Sequence, residues 1–317
     1  MKEKSLGVIF HPAFAPETLW EYARKAEAAG FDQLWLWDDC FLPGALTSAA
    51  VALSATEHLK VGIGLIPSVA INPLFAAMEI TTLSRNFPGR FIPGFGHGIS
   101  GWMKQIGAKS RFSMAALEET VTTVRRLLQG EEVTFHGKQV NLDKVQMTII
   151  PEVQPPLYIG GMRPKTLGLA GRIADGAIIP AYSSPAYVRW VREQIGNDNV
   201  RLVVYTAAFV HPDGELARRV MRQRLANWLP WGDIQLEALE LVEDARLRLQ
   251  KYGKHVVDHI PDGWLDDMTV SGTPQQAVEA IEKLYDAGAD CVVLEPPHDA
   301  PEMLDAFIAD LLPEIKR

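Results

Sequence analysis

A pair of glycines in front of a predicted helix is the strongest candidate for a binding site in this sequence. The segment IGGMRP, residues 159–164, contains Gly160 and Gly161, and Lys165 follows it. Two glycines free the backbone, and a helix that begins at Pro164 offers unpaired N–H groups and the positive end of its dipole. Arg163 and Lys165 add positive charge. The pattern predicts a phosphate site, and the alternative is an ordinary strand-to-helix turn.

Two carboxylic acids and two histidines could exchange a proton with a ligand. Asp38 and Asp39 are adjacent, so in an extended segment one can face a site while the other faces a neighbouring loop. His11 and His97 carry imidazoles whose ordinary pKa, about 6.5, suits acid–base chemistry near neutral pH. His97 lies in GFGHG, residues 94–98, where glycines let the backbone approach a flat ligand. The alternatives are a helix cap, structural histidines and a glycine-rich turn.

These residues follow short apolar runs that alternate with longer amphipathic stretches. Eight such pairs predict a (β/α)₈ barrel, in which the chemistry lies at the carboxyl ends of the strands. An open doubly wound sheet is the alternative, but no G-x-G-x-x-G opens a helix after the first strand. The predicted strands are Leu6–Phe10, Gln33–Trp37, Val61–Ile66, Arg90–Phe95, Leu157–Ile159, Ala177–Pro180, Leu202–Val210 and Cys291–Glu295.

The sequence predicts a single domain, residues 1–317, in which two segments depart from the alternation of strands and helices. Near residues 131–150, apolar residues alternate around a His-Gly-Lys sequence, which predicts a β-hairpin. An insertion near residues 228–270 contains a predicted helix at Ala238–Tyr252 and three tryptophans. Because it follows the seventh strand, we expect it to reach the catalytic face and to cover the substrate cleft or form a subunit contact.

Composition argues against several classes of protein. The chain has 317 residues, 47% hydrophobic and 22% charged, and a formal net charge of −8. Nucleic acids and acidic membranes bind basic surfaces, so neither is expected as a partner. Only Cys40 and Cys291 are present, which excludes a disulfide framework and argues against a metal site; we expect both to pack. No apolar run is long enough for a membrane helix or a signal peptide, which predicts a cytoplasmic protein.

Four segments, in order, resemble the luciferase-like flavin-dependent oxidoreductases. They correspond to the second, the third and fourth, the fifth and sixth, and the eighth βα units of that family. The resemblance covers most of the chain outside residues 228–270. It is greatest to the branch that uses coenzyme F420, an 8-hydroxy-5-deazaflavin, to which methylenetetrahydromethanopterin reductase belongs. The segments are AEAAGFDQLWLWDD (26–39), LKVGIGLIPSVAINPLFAAMEITTLSRNFPGRFIPGFGHG (59–98), PPLYIGGMRPKTLGLAGRIADGAII (155–179) and SGTPQQAVEAIEKLYDAGADCVVL (271–294).

The resemblance implies where a cofactor would bind. Gly64-Leu65 lies where relatives have a non-prolyl cis peptide bond and a bulge that supports the cofactor ring. Gly160 and Gly161 lie where relatives bind the cofactor phosphate, and Asp39 matches an acidic residue near the ring. The predicted cofactor-binding residues are Asp39, Cys40, Gly64, Leu65, His97, Gly98, Gly160, Gly161 and Arg163.

The implied function is hydride transfer between F420 and a small organic substrate, in a homodimer. The alternatives are a monooxygenase that uses flavin mononucleotide (FMN) and a non-catalytic flavin- or deazaflavin-binding protein. Two positions depart from the pattern of this branch. The position after Asp39, often histidine in the deazaflavin enzymes, is Cys40 here. The deazaflavin-dependent glucose-6-phosphate dehydrogenase, another member of the branch, has a glutamate where this chain has Ile99. We therefore predict that His97 handles the proton, with Asp39 and His11 as the other catalytic candidates.

Overall fold

Eight parallel strands close into a barrel in the computed structural model, which describes residues 4–315. The strands are β1 (Ser5–Ile9), β2 (Gln33–Leu36), β3 (Lys60–Pro67), β4 (Phe91–Gly96), β5 (Val133–His136), β6 (Asn141–Val145), β7 (Tyr158–Gly160), β8 (Gly176–Ile179), β9 (Arg201–Val210), β10 (Val270–Gly272) and β11 (Cys291–Glu295). Around the barrel they run β1-β2-β3-β4-β7-β8-β9-β11, and β11 pairs with β1 to close the ring. All eight predicted strands, and the predicted barrel, are confirmed.

Helices follow the barrel strands and form the outer layer. They are α1 (Leu19–Ala29), α2 (Ala45–Ser54), α3 (Pro73–Asn86), α4 (Ser100–Gln105), α5 (Ser113–Leu128), α6 (Pro164–Ile173), α7 (Pro185–Ile195), α8 (Gly214–Trp228), α9 (Asp233–Glu237), α10 (Val242–Tyr252), α11 (Asp262–Met268), α12 (Pro274–Asp286), α13 (Met303–Ala306) and α14 (Leu312–Ile315). Four of them, α3, α6, α7 and α12, begin with proline. Side chains of Asn72, Ser184 and Thr273 cap α3, α7 and α12, whereas α6 has no side-chain cap. None of the helices in residues 4–315 is long and apolar enough to cross a membrane.

Large side chains fill the barrel interior and support the floor of its open end. Trp35 is fully buried there, and its Nε1 donates to Gln33 Oε1 at 2.9 Å. Tyr205 packs edge-on against Trp35, with ring centroids 5.7 Å apart. Cys291 lies in the same interior cluster, so its predicted packing role is confirmed. A second layer of aliphatic residues joins the outside of the strands to the helices.

The predicted hairpin is formed by β5 and β6, which pair antiparallel. The Glu119 carboxylate of α5 fixes its turn, because it accepts backbone N–H groups of Lys138, Gln139 and Val140 at 2.8–3.0 Å. Three charge-assisted bonds to one carboxylate also hold its pKa below the usual range, despite some burial. The hairpin is therefore tied to the helix layer.

The insertion after β9 differs from the predicted single helix. It contains α9, α10 and α11 with intervening 3₁₀ turns, and α10 begins at Val242 rather than Ala238. These pieces bury a hydrophobic core of their own that includes Leu236, Trp264 and Leu265 and packs on Tyr182. The chain then forms β10, which was not predicted and pairs with the last residues of β9. The insertion is thereby anchored at the open end of the barrel.

Candidate active site

A cavity of about 1010 Å³ opens at the carboxyl ends of the barrel strands. This volume suits a ligand larger than a typical metabolite, since ordinary ligand pockets span roughly 300–1,000 Å³. All nine predicted cofactor-binding residues line it. The lining residues are Trp37, Asp38, Asp39, Cys40, Gly64, Leu65, Pro67, His97, Gly98, Ile99, Trp102, Met103, Ser113, Met114, Gly160, Gly161, Met162, Arg163, Pro164, Lys165, Thr166, Ile178, Pro180, Ala181, Tyr182, Tyr205, Trp228 and Glu295.

A bulge in β3 forms the floor of the cavity. The Gly64–Leu65 peptide bond is cis, and the pairing of β3 with β4 shifts register between Ile63 and Ile66. This turns Leu65 toward Gly96 and Gly160: a Cβ at Gly96 would lie 2.6 Å from Leu65 Cδ1, and one at Gly160 2.8 Å from Leu65 Cγ. These two glycines are therefore required by the packing of Leu65. From the sequence, Gly96 was interpreted as allowing the backbone to approach a flat ligand. Its packing against Leu65 was not predicted.

The N-terminus of α6 forms one end of the cavity. Gly161 N–H donates to Ile178 O at 3.1 Å, so this amide is already used within the barrel. The amides of Met162 and Lys165 form no hydrogen bond with another of the residues 4–315, and the Arg163 and Lys165 side chains line the same end. Tyr187 Oη holds the loop by donating to Met162 O at 2.8 Å. Together with the absent side-chain cap, these features suit an anion.

His97 connects β4 to this same helix. Its Nε2 lies 3.0 Å from Thr166 Oγ1, and its buried Nδ1 has no partner in hydrogen-bond geometry among the described residues. Burial lowers the pKa of His97, and the nearby Ser113 backbone acts in the opposite direction. Burial therefore favours the neutral imidazole, and the first turn of α6 fixes its ring through Thr166.

The adjacent carboxyl groups after β2 have different surroundings. Asp38 Oδ1 accepts the Ala45 N–H at 3.1 Å and so supports the start of α2, which fits the alternative that one of the pair serves a helix start. Burial raises the pKa of Asp39, and the neighbouring Asp38 raises it further. Both line the cavity, and half-buried Cys40 lies beside them.

His11 stands outside the lining of the cavity. Its ring packs edge-on against Trp37 at 4.9 Å, and its Nδ1 accepts the Ala13 N–H at 3.1 Å. Burial lowers the pKa of His11 to about 4, assisted by His298 and Arg224. The structure thus brings His97 and Asp39 to the cavity and leaves His11 behind its wall.

Glu295, at the end of β11, is a cavity residue that was not predicted as a site residue. Burial raises its pKa to about 7; Arg224 lowers it and Asp39 raises it. Its place at the end of a predicted barrel strand was the one available signal, because this is where barrel enzymes carry their chemistry. The described residues contain no group of three or more His, Cys, Asp and Glu side chains that could hold a metal ion.

Aromatic side chains form a further part of the cavity wall. Tyr182 stacks on Trp228 with ring centroids 4.6 Å apart, and Trp37 stacks on Tyr205 at 6.4 Å. Trp37 Nε1 and Tyr205 Oη are buried and make no hydrogen bond with the described residues. Because unpaired buried donors are costly, both are suited to bind a polar atom of a ligand.

The fold and this site define a (β/α)₈ barrel with a large cavity at the carboxyl ends of its strands. The chain belongs to the luciferase-like monooxygenase family, whose sequence profile matches residues 5–291. It is similar to the 5,10-methylenetetrahydromethanopterin reductase of Archaeoglobus fulgidus, with 26% identity over 331 residues, 98% of this chain and 99% of that protein. The F420-dependent glucose-6-phosphate dehydrogenase of Nakamurella multipartita is 28% identical over 332 residues, covering 96% and 94%.

A solved structure has the same fold over its whole length. It is the coenzyme F420-dependent tetrahydromethanopterin reductase from Methanopyrus kandleri, with a TM-score of 0.81, 22% sequence identity and 99% of both chains covered. The resemblance stated from the four sequence segments is confirmed by these comparisons.

Proposed function

We propose that this protein is an oxidoreductase that transfers a hydride between coenzyme F420 and a small organic substrate. The observation that carries the proposal is one continuous cavity that joins the Leu65 bulge to the uncapped N-terminus of α6. A flat ring at one end and a phosphate at the other fit this arrangement. The similar F420-dependent glucose-6-phosphate dehydrogenase and F420-dependent tetrahydromethanopterin reductase favour the deazaflavin over FMN.

The residues present suit each part of the cofactor. Leu65 would lie under the ring, and the unpaired Nδ1 of His97 could hydrogen-bond to it. The free amides of Met162 and Lys165, with the Arg163 side chain, would hold the phosphate. When bound, the deazaflavin supplies the two-electron chemistry, and the protein positions it and moves protons.

His97, Asp39 and His11 remain proposed catalytic residues with different support. His97 and Asp39 line the cavity, whereas His11 lies outside the lining and would act through Trp37. The non-catalytic alternative predicts no need for titratable groups in the cavity, and several are present. Proton exchange accelerates reactions by about 10²–10⁴-fold, so the loss of turnover in a variant of each residue distinguishes proton exchange from a role in positioning the ligand.

Side-by-side titrations test the cofactor assignment. The purified protein is titrated with F420 and with FMN, and binding is followed by fluorescence. We expect F420 to bind at least tenfold more tightly. Purification of a yellow protein with stoichiometric FMN would instead support the monooxygenase alternative. Binding of F420 without any turnover of reduced F420 across a panel of carbonyl compounds would favour the non-catalytic alternative.

We further propose that the protein is a homodimer formed through α2 and α3, which follow adjacent strands. Val51, Phe75 and Met78 of these helices are 40%, 61% and 45% exposed, an unusual concentration of apolar surface. Phe75→Glu should convert a dimer to a monomer in analytical ultracentrifugation, while Phe41→Glu, an exposed residue outside these helices, should not. A wild-type monomer would refute the proposal.

We also propose a cytoplasmic location. Both cysteines are free thiols, which fits a reducing compartment. Cell fractionation of the source organism, followed by immunoblotting, would test it.

A further inference from the structure

The cavity divides into two halves with different chemistry. Gly160 and α6 follow β7, whereas Asp39 follows β2 and Glu295 ends β11. In the barrel order, β2 and β11 are each three strands away from β7, so the two carboxyl groups lie on the far side of the opening. We call this half the distal subsite. It consists of Trp37, Asp39, Tyr182, Trp228 and Glu295, and Tyr205, whose hydroxyl group lies next to Gly64, joins it to the floor of the cavity.

The distal subsite is unsuited to an anionic substrate. Among the cavity-lining residues the basic side chains besides His97 are Arg163 and Lys165, and both belong to the α6 end. The nearest arginine behind the subsite is Arg224, which is hydrogen-bonded to His298 and Asp299 and does not line the cavity. A phosphate or carboxylate placed here would therefore meet two carboxyl groups and no cation that lines the cavity, while Arg224 behind it is already paired with Asp299.

The rings of the subsite suit an apolar body instead. Tyr182 and Trp228 form one stacked pair, and Trp37 and Tyr205 form the other. Large aromatic faces bind uncharged groups by burial and by ring packing. Trp228 comes from the start of the insertion after β9, so this part of the chain contributes directly to the subsite.

Glu295 is a carboxyl group of the distal subsite that is free to act on a ligand. Its carboxyl group forms no hydrogen bond or ion pair with another of the residues 4–315 and lines the cavity. Asp38, by contrast, is bound to the Ala45 amide, and His97 is bound to Thr166. A carboxylic acid in an apolar setting can give a proton to a carbonyl oxygen and later recover it.

We propose that Glu295 is the proton-exchanging residue and that the substrate is an uncharged carbonyl compound with an apolar body, or the corresponding alcohol. This inference rests on the proposed function. In reduction, the carbonyl carbon receives the hydride of the reduced cofactor and the oxygen receives the Glu295 proton, which gives the alcohol and the oxidised cofactor. The Glu295 carboxylate then takes a proton from solvent. In oxidation, the hydroxyl proton passes to the carboxylate as the carbon releases its hydride.

The surroundings of Glu295 support both directions. Burial raises its pKa to about 7, Arg224 opposes this change, and Asp39 adds to it. The other titratable groups nearby, Tyr182 and Tyr205, have pKa values raised by burial and stay neutral. Both forms of Glu295 are thus populated near neutral pH, as acid–base exchange requires.

An infrared titration tests the carboxyl group without any cofactor. The protein labelled with carbon-13 glutamate should show a protonated carboxyl band that is lost with a midpoint near pH 7. The band should be absent in Glu295→Gln and present in Glu302→Gln. Glu302 is an exposed glutamate in the segment that follows β11. A wild-type protein with no protonated glutamate above about pH 6 would overturn the proposal.

Ligand binding and turnover test the substrate class. With F420-loaded protein we expect acetophenone to bind at least tenfold more tightly than the anionic 4-acetylbenzoate. Acetophenone affinity should fall about tenfold from pH 5.5 to pH 8.5, since the ionised Glu295 no longer donates a hydrogen bond worth about 1.5 kcal/mol. Glu295→Gln should keep the affinities for F420 and acetophenone, lose this pH dependence, and reduce acetophenone about 10²–10⁴-fold more slowly.

The outcomes separate this inference from the proposed function. If the wild-type protein binds no F420, the proposed function fails and the Glu295 assignment fails with it. If F420 binds and Glu295→Gln retains full turnover, only the Glu295 assignment is wrong. Equal or tighter binding of 4-acetylbenzoate would overturn the uncharged substrate class.

Discussion

Gly160→Ala should damage the cofactor site through Leu65 alone. The added methyl group would lie 2.8 Å from Leu65 Cγ and closer still to its two Cδ atoms. Carbon atoms pack at roughly 3.5–4.0 Å, so either Leu65 or β7 must move. Leu65 also packs tightly against Gly96, where an added Cβ would lie 2.6 Å from Leu65 Cδ1, so the side chain has no room to move toward β4. We therefore expect Leu65 to be pushed up into the cavity.

The magnitude follows from overpacking. One extra methyl in a tightly packed site costs about 1–3 kcal/mol, which should appear as lower stability in urea denaturation. The same displacement places Leu65 where the proposed cofactor ring would lie. We expect F420 affinity to fall at least tenfold, or by about 1.4 kcal/mol, in a fluorescence titration.

Gly168→Ala provides a matched control within the same βα unit. A methyl group there has no neighbour closer than 3.8 Å, and the residue lies inside α6. Alanine is favoured over glycine inside a helix by about 1 kcal/mol, so this variant should be as stable as the wild type or more stable, with unchanged F420 affinity. A Gly160→Ala protein with wild-type stability and affinity would refute the reasoning about Leu65.

Three further variants test other parts of the structure. For His97→Ala we expect about tenfold weaker F420 binding and less than tenfold slower turnover at saturating cofactor, because His97 is tied to Thr166; a 10²–10⁴-fold loss of turnover at unchanged affinity would return proton exchange to His97. Since burial raises the Glu295 pKa from 4.5 to about 7, its ionisation costs stability as pH rises between these values. Glu295→Gln should therefore gain about 2–3 kcal/mol over wild type in urea denaturation between pH 5 and pH 8.5, and a flat difference would contradict the pKa. Arg218→Ala removes a buried guanidinium that binds Asp266 Oδ1 at 2.6 Å, so the insertion should become more sensitive to proteolysis with the barrel intact, and an unchanged digestion pattern would argue against this anchor.

The barrel could be predicted from sequence because its signals are local. Short apolar runs predict the strands, and amphipathic stretches with a helical period predict the helices between them. Prolines such as Pro164 and Pro274 mark where helices begin. The short elements α4, α9, α11 and β10 were not predicted. Helix α4 has six residues with only Met103 buried, too few for a visible period. Strand β10 has three residues and exists because the long β9 projects beyond the barrel and can pair with it.

The site could be predicted only as a set of positions. Strand ends and the IGGMRP segment identified the residues that line the cavity, but their roles depend on neighbours from other strands. The Gly161 amide is used by Ile178 of the adjacent strand, and Gly160 serves Leu65 of β3. Glu295 was visible as a strand end, yet its raised pKa arises from burial, with a further contribution from Asp39 across β1. Such contacts between distant segments have no signature in local sequence.

The arrangement around the barrel separates two tasks. Strands β3, β4 and β7 supply Leu65, His97 and the approach to α6, which together suit a cofactor. The remaining arc supplies Glu295 and Asp39, and the insertion after β9 adds Trp228. Trp228 and Tyr182 stack on each other and pack with the core of the insertion, so we expect substitutions at this wall to alter the substrate preference without disturbing the cofactor end. The insertion is therefore the part of this chain in which a change of substrate preference should be sought first.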